Sequence, residues 1–246
     1  MYSFLLIGQS NMSGRGRIAE AHKIDTTHIY TLRNGRWQKM FRPICSDRSF
    51  AGVSLAESFA EAVANAYGED VGLICCSDGG TSLDQWKSGD VLFDNAVNCA
   101  RLAMRTSKLV GILWHQGEGD CAPHLAATYR ERFSAMVDEL RRQLDAEDVP
   151  LLVGALGDFL KDRTESPLLV NYPIVNKALL DYAESDDRVA FVNAEGLGDN
   201  GDKLHFNSDA LYEFGLRYFE AFREKFTPAD SATPDAKLER TAMELL

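Results

Sequence analysis

The chain has 246 residues, of which 45% are apolar, so it has enough material for one large domain or two small ones. Its formal net charge of −11 argues against binding to nucleic acid or to an anionic membrane surface, because both repel an acidic protein. No apolar stretch is long enough to span a bilayer, and the first residues lack the basic segment and cleavage site of a signal peptide, so we expect a cytoplasmic protein.

Predicted strands and helices alternate along the chain. The first strand is predicted over residues 2–8, a short apolar run that ends in polar residues with turn chemistry. The Asn34-Gly35 pair indicates the turn of a small hairpin made by 29–32 and 36–37. Further strands are predicted at 71–76, 109–114, 151–156 and 189–192, and helices at 54–67, 92–106, 125–144, about 170–183 and 207–226.

This alternation predicts a parallel sheet that is covered by helices on both faces. With right-handed crossovers, we expect an α/β fold, namely one three-layer α/β/α sandwich over residues 1–226 with about five strands in flavodoxin-like order. From residue 227 onward the chain turns polar and contains Pro228 and Pro234. A polar C-terminal tail is therefore predicted over 227–246, with a short helix near 236–246 as one possibility.

Four polar clusters follow predicted strands. Ligands bind beyond the carboxyl ends of the strands in sheets of this kind, so we expect the four clusters to lie together at one edge. In chain order they are Gln9-Ser10-Asn11, Gly79-Gly80-Thr81-Ser82, His115-Gln116-Gly117-Glu118 and, after a short loop, Asp202-Lys203-Leu204-His205.

The clusters contain the groups that acyl transfer by a serine requires: a nucleophile, a base, a group that orients the base, and donors for the oxyanion. Ser10 is the candidate nucleophile. His205 is the best of five candidate bases, because Asp202 lies three residues earlier and can reach its Nδ1. The candidate oxyanion donors are the Ser10 N–H, a glycine N–H in the Gly79-Gly80 turn, and the side-chain amide of Gln116.

Four sequence blocks carry a resemblance to a known family. They are Gly8-Gln9-Ser10-Asn11-Met12, Gly79-Gly80-Thr81-Ser82 with Trp86, Trp114-His115-Gln116-Gly117-Glu118, and Asp202-Lys203-Leu204-His205-Phe206. Together they resemble the SGNH hydrolases, and most closely the carbohydrate esterase family 6 and sialate O-acetylesterase-like group, over about residues 2–220. The resemblance implies an α/β/α sandwich that removes O-acetyl groups from carbohydrates, such as acetylxylan or O-acetylated sialic acid, without a metal or other cofactor.

The resemblance also assigns roles to individual residues. It implies that Ser10 is the nucleophile, His205 the base and Asp202 its partner. Gln116 stands where the wider superfamily usually has asparagine, and Gly80 is preferred over Gly79 as the glycine donor. The residues implied to line the pocket or to orient the triad are Gln9, Asn11, Trp86, His115 and Glu118. Glu118 could instead share the role of Asp202.

Each assignment has a structural alternative. Ser10 could be a helix N-cap, which is a common position for a serine after a strand. His205 could be a packed histidine and Gly79-Gly80 only a tight turn. Gln116 could cap the next helix or bind to backbone groups. Trp86 could be a core residue rather than part of a pocket wall. The basic residues between 15 and 48, Arg15 among them, are expected on a solvated loop surface, with substrate binding as the alternative.

The sequence also contains a candidate metal site, and two other functions are compatible with the predicted fold. Residues 115–124 contain His, Glu, Asp and Cys, but their spacing matches no zinc-binding helix, so no metal is expected. One alternative function is an SGNH lipase or thioesterase that acts on esters without a sugar. The other is a non-catalytic carbohydrate-binding domain on the same fold. The favoured interpretation is a serine esterase that deacetylates a carbohydrate through an acyl-enzyme.

Overall fold

The computed structural model of the chain describes residues 1–227. These residues form an α/β fold around one sheet of seven strands in the order β3-β2-β4-β1-β5-β6-β7. The predicted C-terminal tail lies outside the described residues apart from Thr227. The strands are β1 (Tyr2–Gly8), β2 (Ile29–Arg33), β3 (Arg36–Lys39), β4 (Val71–Cys75), β5 (Lys108–His115), β6 (Leu151–Gly154) and β7 (Val189–Val192).

Six of the seven strands are parallel, and five of them, β4-β1-β5-β6-β7, follow the predicted flavodoxin-like order. The prediction of about five strands was wrong, because the hairpin extends the sheet to seven. Its turn at Asn34 and Gly35 has positive φ at both residues, and β3 pairs with β2 in antiparallel fashion. β2 then pairs with β4 in parallel, with Ile29 opposite Val71, a contact between segments far apart in the chain.

Seven α-helices are described, and the larger ones cover both faces of the sheet. α2 and α7 contact each other on one face, whereas α3, α5 and α6 pack side by side on the other, which gives the predicted three layers. The helices are α1 (Ser10–Ser13), α2 (Ala56–Tyr67), α3 (Val91–Ala103), α4 (Pro123–Ala126), α5 (Tyr129–Leu144), α6 (Tyr172–Ser185) and α7 (Ser208–Lys225).

The segment predicted as one helix over 125–144 is broken into α4 and α5. The hydroxyl of Thr128 lies 3.3 Å from the carbonyl oxygens of both His124 and Leu125, so the side chain competes with the helical hydrogen bonds of that turn. The other predicted helices are present to within a few residues. α2 ends at Gly68 in the left-handed conformation (φ 65°), and the Asn207 side chain caps α7 by accepting the Ala210 N–H at 2.8 Å.

Aromatic side chains fill the core on both faces of the sheet. On one face, the ring of Phe4 in β1 packs edge-on against Phe59 of α2 and Phe222 of α7, at 4.8 and 5.1 Å between centroids. On the other face, Trp86 packs edge-on against Trp114 at 5.5 Å. Within residues 1–227, none of the helices combines the length and the apolar character needed to cross a membrane.

The carboxyl ends of the central strands are level with one another. Gly8 at the end of β1 lies opposite His115 at the end of β5, and Leu6 lies opposite Cys75 of β4. Gly8 has φ of 130°, and a Cβ at this position would lie 2.1 Å from the His115 carbonyl oxygen, so only glycine fits. This tight approach turns the chain out of the sheet just before Ser10.

Candidate active site

Ser10 is the first residue of the single-turn helix α1, directly after β1. It is not the N-cap, because Gln9 occupies that position. Its hydroxyl lies 3.0 Å from Nε2 of His205, although the two residues are separated by almost the whole chain. Ser10 is 5% exposed. The hydroxyl therefore has no helix-capping role and lies within hydrogen-bond distance of a histidine, the arrangement that nucleophilic catalysis by a serine requires.

His205 and Asp202 come from the loop between β7 and α7. Nδ1 of His205 lies 2.7 Å from Asp202 Oδ2, and a proton on Nδ1 leaves Nε2 free to accept from the Ser10 hydroxyl. Asp202 Oδ1 accepts the backbone N–H groups of Leu204 and His205, both at 2.9 Å. The structure therefore brings the three predicted residues together in one hydrogen-bonded line.

The hydrogen bonds to Asp202 favour its charged form. Partial burial by itself raises the pKa of this carboxyl, but the hydrogen bonds from the backbone and side chain of His205 outweigh that effect, and the pKa lies below the usual aspartate value. A carboxylate that stays ionised continues to accept the Nδ1 hydrogen of His205 and so keeps the imidazole oriented.

Asn11 connects the serine turn to the histidine loop. Its Nδ2 donates to Glu118 Oε1 at 2.6 Å and to the Leu204 carbonyl at 3.1 Å, and its Oδ1 accepts the Phe206 N–H at 3.1 Å. The amide thus holds the residues on both sides of His205. Glu118 makes no hydrogen bond to the imidazole within residues 1–227; its second oxygen is enclosed and unpaired there. Glu118 therefore acts on the histidine loop through Asn11.

A buried ion pair supports the glycine turn next to Ser10. The Gly79 N–H donates to Asp47 Oδ2 at 2.9 Å, and Asp47 is paired with Arg15 at 2.6 Å. Both charged side chains are almost fully enclosed, so the expectation of a solvated surface is wrong for Arg15. Burial raises the pKa of Asp47, but its hydrogen bond and charge interaction with Arg15 bring the pKa below the usual value.

The two glycines differ in what remains available to a ligand. The N–H of Gly79 is already donated to Asp47, whereas the N–H groups of Gly80 and Ser10 donate to no acceptor in the described part of the chain. Gly80 has φ of 78°, a conformation that suits glycine. This difference favours the predicted choice of Gly80 over Gly79.

The geometry contradicts the prediction that Gln116 donates to an oxyanion. Its Nε2 donates to the Thr81 carbonyl at 3.0 Å and to Asp120 Oδ2 at 2.7 Å, which uses both amide hydrogens. Its oxygen accepts the Tyr129 hydroxyl at 3.0 Å, and the residue is fully buried. Gln116 thus joins the loop after β4 to the loop after β5, a pairing for which the sequence contains no local signal.

Two more residues predicted near the pocket are structural. Trp86 is 1% exposed and donates from Nε1 to Thr81 Oγ1 at 3.3 Å, so it is a core residue and not a pocket wall. His115 is fully buried between Phe206 and Phe214, its Nε2 lies 3.2 Å from the Ala155 carbonyl, and burial lowers its pKa. Neither side chain is placed to touch a substrate.

Gln9 remains beside the serine. Its side-chain oxygen accepts the Gly119 N–H at 3.2 Å, so this side chain reaches from the end of β1 to the loop after β5. A groove of about 460 Å³ adjoins the glycine turn; Arg48, Asp78, Gly80, Asp84 and Asp90 are among its lining residues. Within residues 1–227, no group of three or more His, Cys, Asp and Glu side chains is arranged to hold a metal ion.

The chain is similar in sequence to carbohydrate esterases. The sequence model of a family described as carbohydrate esterase, sialic acid-specific acetylesterase, matches residues 1–224. The probable carbohydrate esterase At4g34215 of Arabidopsis thaliana is 26% identical over 249 residues, which cover 91% of this chain and 90% of that protein.

Solved structures show the same fold. The X-ray structure of the Arabidopsis protein superposes with a TM-score of 0.79 at 25% identity, over 92% of this chain and 99% of that one. NanS superposes with a TM-score of 0.67 at 18% identity, over 91% and 96% of the two chains. XAC1771, a carbohydrate acetylesterase from Xanthomonas citri, gives 0.64 at 18% identity, over 91% of this chain and 55% of that one.

Proposed function

The chain belongs to the family of carbohydrate esterases and sialic acid-specific acetylesterases, and from this premise we propose that it is a serine esterase that removes O-acetyl groups from carbohydrates through an acyl-enzyme. The family consists of carboxylic ester hydrolases, and membership supports activity on acetylated sugars. The single observation that carries the mechanism is the hydrogen-bonded line from Ser10 through His205 to Asp202, with distances of 3.0 and 2.7 Å.

In the first half of the reaction, Ser10 Oγ attacks the acetyl carbon while its proton passes to Nε2 of His205. The electron pair of the C=O bond moves to the carbonyl oxygen, and the free N–H groups of Ser10 and Gly80 stabilise the resulting oxyanion. The intermediate then collapses, the sugar oxygen leaves with the proton from His205, and Ser10 carries the acetyl group. Asp202 holds the imidazole in the required tautomer throughout.

In the second half, a water molecule replaces the sugar. His205 accepts a proton from the water as its oxygen attacks the acetyl carbon, and the same donors stabilise the second oxyanion. Collapse of this intermediate releases acetate and returns the proton to Ser10 Oγ. The atoms balance without a metal or redox cofactor, and the substrate class is an acetylated carbohydrate.

The test is hydrolysis of a chromogenic acetyl ester by variants of the two central residues. We expect Ser10→Ala and His205→Asn to lower kcat by roughly four to six orders of magnitude. His28→Asn is the matched control, because His28 also pairs with an aspartate, Asp70, at 2.8 Å, but lies next to the amino end of β4, at the other edge of the sheet. Activity in Ser10→Ala close to that of the unmodified chain would contradict the proposal.

Two further assays separate the alternatives. An organophosphorus serine probe should label the unmodified chain and not Ser10→Ala, whereas a non-catalytic binding domain would stay unlabelled. An acetylesterase should hydrolyse acetyl esters faster than longer acyl esters, whereas a lipase or thioesterase should show the reverse preference. A panel of acetylated xylan oligomers, O-acetylated sialic acids and acetylated monosaccharides, assayed for released acetate, then identifies the sugar.

A further inference from the structure

Two backbone N–H groups near Ser10, those of Ser10 and Gly80, donate to no acceptor in residues 1–227. The side-chain amide that the sequence predicted as a further donor is occupied, since Gln116 donates both of its hydrogens to Thr81 and Asp120. The Gly79 N–H is likewise held by Asp47. A serine esterase stabilises its oxyanion with donors that are in place before the reaction, so any further free and fixed donor beside Ser10 would add to the two backbone N–H groups.

The side-chain amide of Gln9 has the free donor. Gln9 directly precedes Ser10 and is 4% exposed. Its oxygen is held by the Gly119 N–H, but its Nε2 donates to no acceptor in residues 1–227. This nitrogen is not fully enclosed by protein atoms, so it is accessible to solvent. A nearly buried amide with its oxygen anchored and its nitrogen open is a fixed donor that faces a ligand site.

Neighbouring contacts locate this amide between the two loops that border Ser10. Gly119, which holds the Gln9 oxygen, packs so closely on the Thr81 carbonyl that a Cβ on it would lie 2.4 Å from that oxygen. On the other side, a Cβ on Gly79 would lie 3.4 Å from the Ser10 Cβ. The Gln9 side chain is therefore anchored at Gly119, a residue that packs against the loop containing the glycine turn, and that turn in its own right packs against Ser10.

We propose that Gln9 is a catalytic residue whose Nε2 donates a hydrogen bond to the oxyanion formed at Ser10, as the third donor beside the N–H groups of Ser10 and Gly80. The inference rests on the proposed function and deepens it. As the C=O electron pair moves onto the carbonyl oxygen, the amide hydrogen bond shortens and no proton leaves Gln9. Gln116 is then a positioning residue that fixes the surrounding loops.

Two substitutions distinguish a donor from a residue that only holds Gly119. Gln9→Glu keeps an oxygen that can accept the Gly119 N–H but removes the donor, and Gln9→Met removes both groups at similar size. We expect both variants to lower kcat by about 10²- to 10³-fold with KM changed by less than about threefold. If Gln9→Glu keeps kcat within about threefold of the unmodified chain while its melting temperature is unchanged, the proposal is overturned.

A sulfur-substituted substrate supplies a readout that a structural role would not move. Sulfur accepts hydrogen bonds weakly, so an enzyme with a full set of donors should prefer an acetyl ester to the corresponding thionoester, in which sulfur replaces the carbonyl oxygen. We expect this preference in kcat/KM to fall by about tenfold or more in both Gln9 variants. An unchanged preference in a folded Gln9→Met variant would overturn the proposal.

Failure of the inference can be told apart from failure of the proposed function. The function is tested by hydrolysis in the unmodified chain and its loss in Ser10→Ala. The donor is tested only by the ratio between the two esters in variants that still fold, as checked by circular dichroism and thermal melting. An active chain whose ratio does not respond to Gln9 retains the proposed function and loses the proposed donor.

Discussion

At the scale of single residues, the site separates side chains that face a substrate from side chains that hold others in place. Ser10 and His205 meet directly, whereas Asn11 contacts the residues on both sides of His205 and is itself held by Glu118. Asp202 contacts the imidazole and Glu118 does not, although both are carboxylates in the blocks that resemble the SGNH hydrolases. Contact with the imidazole therefore favours Asp202 over Glu118 as the carboxylate that orients the base.

This distinction predicts unequal effects of two conservative substitutions. Asp202→Asn should lower kcat by about 10²- to 10⁴-fold, because the new amide favours the wrong imidazole tautomer. Glu118→Gln should lower kcat by less than about tenfold, because a glutamine oxygen can still accept the hydrogen bond from Asn11. The substitution also removes a buried carboxylate oxygen that has no partner in residues 1–227. Steady-state kinetics with a soluble acetyl ester measures both. The reverse order would make Glu118 the orienting group.

At the scale of the elements, the sequence predicted what depends on local pattern. β1 and β7 have the predicted bounds, and α2 ends at Tyr67, the predicted last residue of that helix. The sequence did not predict pairings between distant segments, such as β2 with β4, because an apolar strand pattern does not name its neighbour. The predicted roles of Gln116 as an oxyanion donor and of Trp86 as a pocket wall are wrong for the same reason. The acceptors that occupy the Gln116 amide come from separate turns, which the local sequence around Gln116 does not indicate.

The loop that carries Asp47 is the clearest case of an element that local sequence does not reveal. Arg15 and Asp47 are buried together against the turn that carries Gly79, and Arg48 donates to the Gly79 carbonyl at 2.7 Å. Three segments are thereby joined directly behind the nucleophile. Removing one charge of this pair leaves the other enclosed without a partner, which is costly.

We therefore expect Asp47→Ala to lower the free energy of unfolding by about 3 kcal/mol at neutral pH, as measured by urea denaturation. Asp70→Ala, which removes the exposed pair with His28, is the control and should cost below about 1 kcal/mol. Because the folded-state pKa of Asp47 is lowered, its contribution is complete above the unfolded pKa of about 4 and is lost as pH falls through the folded value. A cost no larger than that of Asp70→Ala would contradict this role.

At the scale of the whole molecule, the site is assembled from both ends of the described chain. Ser10 follows β1, the central strand of the seven-stranded sheet, and His205 lies just before α7, which packs on α2 across one face of the sheet. The flavodoxin-like order makes this possible, because it places β1, the first strand in the sequence, between β4 and β5. The loops after β4 and β5 then complete the site. The predicted boundary of this domain at residue 226 and the cytoplasmic location stay predictions.

The net charge of the molecule predicts how the enzyme responds to the charge of its substrate. The whole chain carries −11. Among residues 1–227, three carboxylates (Asp78, Asp84 and Asp90) and one guanidinium, that of Arg48, line the groove beside the glycine turn. This field repels an anionic sugar, and salt screens the repulsion over roughly 10 Å at 0.1 M. An acetylated uronic acid and its neutral primary amide form a substrate pair that differs in this charge alone.

We expect kcat/KM for the acid to rise about two- to fivefold as ionic strength increases from about 10 to about 200 mM, while the value for the amide stays constant. The constant value for the amide serves as the control for any general effect of salt on the enzyme. At low salt the amide should be the better substrate, because approach of the acid is opposed by the whole molecule. The opposite result is a kcat/KM for the acid that exceeds that for the amide at low salt and falls as salt is added. It would mean that a local cation outweighs the net charge, and Arg48, which lines the groove, would then be the group that binds an acidic sugar.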